Sequence, residues 1–238
     1  MLRRSLWCSL LGLCSLFGLC STLVASSALA QSRPAFFDQP STIEVVGMIR
    51  PQERVPLIVL LPPTGGDARV VQPPPELFGP FLLLVTPGIP QSSDYLPGFG
   101  HYLEWAEQRI FADIERAMAE QPVDPDRIYL AGFSLGGDVA WGLLTRHPER
   151  FRGAVVMGSR SGAAARTATI ATMQTRQMRV AFVIGAQDEA TRRRGIQHAY
   201  DVVHRASIAS VLVEFPGAHE MPPPEIYEHA LSFMLGRE

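Results

Sequence analysis

Arg127-Ile128-Tyr129-Leu130-Ala131-Gly132-Phe133-Ser134-Leu135-Gly136-Gly137 is the stretch on which the reading of this chain turns. Its first half is a short apolar run of strand character, and its second half opens a helix candidate, Leu135–Arg146. Gly-x-Ser-x-Gly lies between them. Glycines on both sides let the chain make a very tight strand-to-helix turn, with the serine in a strained conformation and its hydroxyl raised above the sheet edge. The free amides at the start of the helix point at the same spot. A small residue that merely fits a tight turn is the plain alternative, and the strand-to-helix context favours a nucleophile over it.

A serine hydroxyl is a weak nucleophile, so Ser134 needs a base and a third group to orient that base. After the apolar run Val180–Ile184 comes Gly185-Ala186-Gln187-Asp188-Glu189, which delivers a carboxylate to the loop leaving a strand. Asp188 is the candidate acid, Glu189 its alternate, and a helix cap the ordinary explanation for an aspartate there. The last apolar run, Val211–Phe215, leads into Pro216-Gly217-Ala218-His219-Glu220-Met221-Pro222, so His219 is the candidate base. His101, His147, His198, His204 and His229 read as surface or helix-packing residues. A metal site from His198 and His204 fails because their separation of six does not put both on one helical face.

Around these residues, short apolar runs alternate with longer amphipathic ones, the order that yields an α/β fold with a mostly parallel central sheet flanked by helices. Strands are expected near Thr42–Ile49, Leu57–Leu61, Phe81–Thr86, Arg127–Ala131, Gly153–Met157, Val180–Ile184 and Val211–Phe215, several of them continuously apolar as burial on both faces demands. Helices are expected at Tyr102–Glu120, Leu135–Arg146, Arg193–Ala206 and Glu225–Leu235, the last just after Pro222-Pro223-Pro224. Asp124-Pro125-Asp126 is read as a turn. Residues 62–80 and 87–100, rich in Pro and Gly, are loops of the kind that build a crevice at strand ends. No insertion is long enough for a large lid.

The oxyanion formed when a serine attacks a carbonyl needs preplaced donors. The amide of Leu135 is one candidate. A second is sought in Pro62-Pro63-Thr64-Gly65-Gly66-Asp67, where Thr64 or Gly65 has a free amide and the two prolines have none.

Arg3 and Arg4 precede an apolar stretch that closes on Ala28-Leu29-Ala30, the order of a secretory signal cleaved before Gln31. A retained membrane anchor is the rival reading. The expected mature part, Gln31–Glu238, is about 208 residues and suits a single domain in the periplasm or outside the cell. Cys8, Cys14 and Cys20 all lie inside the leader, which leaves that part without a disulfide or thiolate site. Leu13 and Leu19 before Cys14 and Cys20 speak against lipidation there.

Loss of Arg3 and Arg4 takes the formal charge from −2 to −4, and the arginines gather only at Arg192-Arg193-Arg194, read as a solvated helix face. Nucleic acid is therefore not an expected partner. The chain has no lysine, which excludes a Schiff-base lysine and a Walker-type phosphate loop. No metal or organic cofactor is required.

With these pieces assembled, the chain resembles the compact carboxylesterase, acyl-protein-thioesterase and phospholipase-like branch of the α/β-hydrolase superfamily over most of residues 55–235. The likeness is strongest in Asp124–Tyr129 leading to Gly132–Gly137, in Gly185–Asp188 and in Gly217–Met221. It implies Ser134, Asp188 and His219 as a catalytic triad, Leu135 and Thr64 as oxyanion donors, and a small-molecule ester as substrate. A thioester, lactone or amide substrate, and a non-catalytic binding protein of the cell envelope, are the other readings. Pro62-Pro63 departs from the family, whose members commonly carry His-Gly there. Asp138, four residues after Ser134, is read as structural because a carboxylate suits the first turn of a helix. Tyr95, Leu96, Phe99 and Trp105 could wall a substrate site or belong to the core.

Overall fold

A computed structural model of the protein describes residues 38–75, 79–88 and 98–237. All of them belong to one compact unit, residues 33–238. The expected leader, and Tyr95 and Leu96, lie outside the described residues.

Seven strands form one sheet: β1 (Thr42–Val46), β2 (Val55–Leu61), β3 (Phe81–Val85), β4 (Val123–Phe133), β5 (Gly153–Met157), β6 (Arg179–Gly185) and β7 (Ala209–Phe215). Their order across the sheet is β1-β3-β2-β4-β5-β6-β7. Only β1 runs antiparallel, with Thr42 opposite Val85 and Val46 opposite Phe81. The others are parallel, which demands crossovers that carry helices over the faces.

Alternation along the strands separates two cores. Leu57, Val59, Leu61, Leu130, Val156 and Phe182 face α1 (Phe99–Glu120), α2 (Leu135–Arg146), α3 (Thr167–Thr175) and α4 (Ala190–Arg205). Ile58, Leu60, Ala131, Val155 and Val183 face α5 (Pro224–Leu235) and a short 3-10 turn at Ala68–Val71. Every residue of β2 is buried, and burying each such Leu, Ile or Val side chain contributes about 1.5–3 kcal/mol. Among the described residues no inserted element covers the C-terminal ends of the strands, and no helix is long and apolar enough to cross a membrane.

Several boundaries differ from those read in the sequence, each for a local reason. β1 stops at Val46 because Gly47 takes φ 78° and turns the chain against Pro80, leaving Met48 exposed. β4 starts four residues earlier than expected. Val55 pairs Val123 and Leu57 pairs Ile128, so Asp124–Arg127 bulge out of register, with the Asp126 amide donating to Asp124 Oδ1 at 3.1 Å. The expected turn at Asp124-Pro125-Asp126 is thus a bulge within the strand. α3 was not foreseen at all, because TATIATMQT has no apolar phase and buries only Thr169 and Met173. α1 begins at Phe99, inside the stretch read as a loop, and α4 begins at Ala190, three residues earlier than expected.

Candidate active site

The C-terminal ends of β4, β6 and β7 bring Ser134, Asp188 and His219 together. β4 delivers Ser134, whose backbone is left-handed in φ (58°, with ψ −117°) and whose amide donates to the Met157 carbonyl at 2.9 Å. A turn this tight needs a glycine where chain crosses chain. A β-carbon on Gly132 would overlap the Gly136 carbonyl, and one on Gly136 would overlap the Leu61 carbonyl at the end of β2. The Ser134 side chain makes no capping bond to the first turn of α2.

β6 ends at Gly185, and its following turn is closed by the Asp188 amide donating to the Gly185 carbonyl at 3.0 Å. The Gln187 amide reaches the Gly217 carbonyl at 2.8 Å, which ties the acid's loop to the loop that carries His219. His219 Nδ1 lies 2.9 Å from Asp188 Oδ2, and His219 Nε2 lies 2.9 Å from Ser134 Oγ. The second Asp188 oxygen accepts the Glu189 amide at 2.6 Å. Asp188 is therefore not the cap of α4. The residue at that cap is Glu189, and it makes no side-chain capping bond.

The imidazole is fixed by packing as well as by hydrogen bonds. Its ring stacks on Phe133 with centroids 4.9 Å apart, and a β-carbon on Gly158 would sit 3.2 Å from His219 Cε1. Ser134 is 7% exposed while the His219 side chain keeps 32%, so the dyad opens to solvent on the histidine side. Such a chain can pass a proton from Oγ to Nε2 while the carboxylate holds the Nδ1–H.

Thr64 stands three residues beyond the end of β2, half-buried, after a buried Pro62. The Gly66 amide closes this loop on the Pro63 carbonyl at 3.2 Å. Contact between Leu61 and Gly136 sets the start of the loop against the start of α2, whose first amide is that of Leu135. A cavity of about 20 Å³, lined by Leu61, Pro62, Thr86, Tyr102, Ala106 and Gly136 among others, lies on the α1 side of this junction.

Two residues differ in role from their sequence reading. Asp138 is buried and does more than face the helix dipole. Its Oδ1 accepts the Ser159 hydroxyl at 2.8 Å and the amides of Arg160 and Ser161 at 2.7 and 3.2 Å, so it shapes the loop after β5. Arg192 is not on a solvated face: it is 6% exposed, beside Asp188, whereas Arg193 and Arg194 are exposed. The helical phase of α4 held that signal, because Ile196, Ala199 and Val203 continue the same buried stripe.

The remaining histidines stand elsewhere. His101 pairs with Glu104, His147 with Glu107, and His204 stacks on Tyr200. Trp105 is partly buried against the helical core, with Phe99 at its edge. Among the described residues no group of three His, Cys, Asp or Glu side chains is arranged to hold a metal.

No protein-family profile matches the chain, and a search of curated proteins finds no match. Solved structures do match. A thermostable esterase superposes with a TM-score of 0.62 at 17% identity over 82% of this chain, which spans 58% of that esterase's length. S-formylglutathione hydrolase from Staphylococcus aureus gives 0.55 at 12% identity over 83% of this chain and 98% of its own. A ferulic acid esterase gives 0.53 at 14% identity, over 81% and 95%. Likeness at such identities is likeness of fold, and together with the strand order and the turn at Ser134 it identifies the architecture: the chain has the α/β-hydrolase fold.

Proposed function

We propose that the chain is a serine hydrolase that cleaves carboxylic esters of small to medium acyl or aryl groups. The observation that carries this reading is the unbroken path Ser134 Oγ, His219 Nε2, His219 Nδ1, Asp188 Oδ2, with both links at 2.9 Å. Neighbours of the same fold that are named as esterases and hydrolases support the substrate class.

In this mechanism Ser134 Oγ attacks the ester carbonyl carbon as His219 Nε2 takes its proton, and the carbonyl electron pair moves onto oxygen. Asp188 accepts the Nδ1–H and stabilises the imidazolium. The amides of Leu135 and Thr64 meet the oxyanion, the first at a helix start that the Ser134 side chain does not cap and the second in the loop set against it. Collapse expels the alcohol, which receives its proton from His219. Water then repeats the sequence on the acyl-enzyme and releases the acid. Pro62 and Pro63 offer no amide, so that loop contributes donors only from Thr64 onward.

The composition of residues 3–30 supports export, with the hydrolase working in the periplasm or outside the cell.

Hydrolysis of p-nitrophenyl acetate, butyrate and octanoate, beside a thioester and an anilide, tests the reading. Expected are turnover of the short esters and its loss by at least about 10³-fold in Ser134→Ala. A folded wild type that turns over none of the five would sink the proposal and favour a binding role for the fold.

A further inference from the structure

Arg192 occupies a place that its own helix does not explain. It lies in the first turn of α4, where the helix dipole disfavours a cation, and it is 6% exposed, where arginine is rarely found unless paired. Its neighbours supply the reason. Nη1 donates to the Gly158 carbonyl at 2.8 Å. Nε lies 3.9 Å from Asp188 Oδ1 and 3.7 Å from Glu189 Oε2, with no hydrogen-bond partner among the described residues.

These contacts span the two loops that fix His219. Asp188, on the loop after β6, holds Nδ1, and Gly158, on the loop after β5, floors the ring near Cε1. One turn further along α4, Gly195 is so close to Arg160 that a β-carbon would overlap its carbonyl, so the helix is docked on the β5 loop at two successive levels. Arg160 continues the charge path outward, with its guanidinium 3.8 Å from Glu189 and 4.0 Å from Asp138.

We propose that Arg192 is a positioning residue: its guanidinium clamps the Asp188 loop to the Gly158 loop and so holds the carboxylate in line with His219 Nδ1. The proposal rests on reading Ser134, His219 and Asp188 as an active site. Arg192 touches neither substrate nor Ser134. Its effect reaches the chemistry only through Asp188 and through the floor under His219, and it falls on the rate of the step rather than on substrate binding.

The test compares wild type, Arg192→Met, Arg192→Lys and the exposed control Arg193→Met. Each is assayed below its melting temperature, with turnover of p-nitrophenyl acetate expressed per active site titrated by a fluorophosphonate. In Arg192→Met, kcat per site should fall about 10- to 100-fold with KM within about threefold, the scale on which a small misplacement of a reacting group acts. Lysine keeps the charge but has one ammonium for two tasks, so Arg192→Lys should lie between Met and wild type, and Arg193→Met should match wild type. If Arg192→Met does not fold, Arg192→Lys decides alone. A kcat per site within twofold of wild type in folded Arg192→Met, or in Arg192→Lys where Arg192→Met does not fold, with only the melting temperature lowered, overturns the positioning role. Wild type that neither takes the label nor turns over ester would instead overturn the reading of the site itself, and this proposal with it.

Discussion

Ser134 keeps a backbone conformation that costs a non-glycine residue about 1–3 kcal/mol, held by the bond from its amide to Met157 and by the close passage of Gly132 under Gly136. The side chains around it divide, on the proposed mechanism, into those that move protons and those that hold loops. On the proposed mechanism, Asp188→Asn keeps the shape but cannot fix the imidazole tautomer, and steady-state turnover should fall by about 10⁴-fold. Asp138 belongs to the second group. Asp138→Ala would take the acceptor from the Arg160 amide, while the Ser161 amide keeps Ser159 Oγ at 2.8 Å and the two serine hydroxyls keep each other, and urea unfolding should show a loss of about 2 kcal/mol. A loss under 1 kcal/mol would mean that water replaces the carboxylate. The placement of Ser134, Asp188 and His219 was legible in sequence, because each stands just past an apolar run, and the structure brings their side chains within hydrogen-bonding distance. Arg192 was not, because three consecutive arginines look solvated unless the helical phase of Ile196, Ala199 and Val203 is carried back one turn.

At the scale of elements, the parallel strands were readable because burial on both faces leaves them continuously apolar, as in Val55–Leu61 and Arg179–Gly185. Helix α3 was hidden for the opposite reason, since two buried side chains, Thr169 and Met173, are too few to make a period. The close approach of Leu61 and Pro62 to Gly136 is a matter of three-dimensional packing between the end of β2 and the start of α2, which no local pattern encodes. That packing makes a prediction about sign. An exposed Gly→Ala change in a helix gains roughly 1 kcal/mol. Gly136→Ala should instead cost more than about 2 kcal/mol in chemical denaturation, because the added carbon meets the backbone of Leu61 and cannot be accommodated by a rotamer change. Gly142→Ala, on the same helix, meets only the end of the Leu103 side chain and should stay within about 1 kcal/mol of wild type.

The whole molecule stores its alkaline limit in its tyrosines. Burial raises the phenols of Tyr102 and Tyr227 far above the ordinary value near 10, and raises Tyr129 as well. Tyr227 also donates its hydroxyl to the Val71 carbonyl. A raised folded-state value means that the native state holds these protons more tightly than the unfolded chain does. Their contribution to stability is therefore intact below about pH 10 and drains away as pH rises past it. Phenolate absorbance should accordingly show fewer than the full five tyrosines titrating in the native state, with the remainder appearing together with unfolding. Five ordinary titrations in a folded protein would contradict the burial of these rings.

The central claim, that the Ser134–His219–Asp188 array activates the serine, is tested most directly by covalent labelling. Purified wild type, Ser134→Ala and His219→Ala are treated with a fluorophosphonate, and the adduct is located by peptide mapping. The account predicts rapid labelling confined to Ser134, none at that position in Ser134→Ala, and labelling slowed by orders of magnitude in His219→Ala. A folded wild type that stays unlabelled, or that labels as fast without His219, would contradict it.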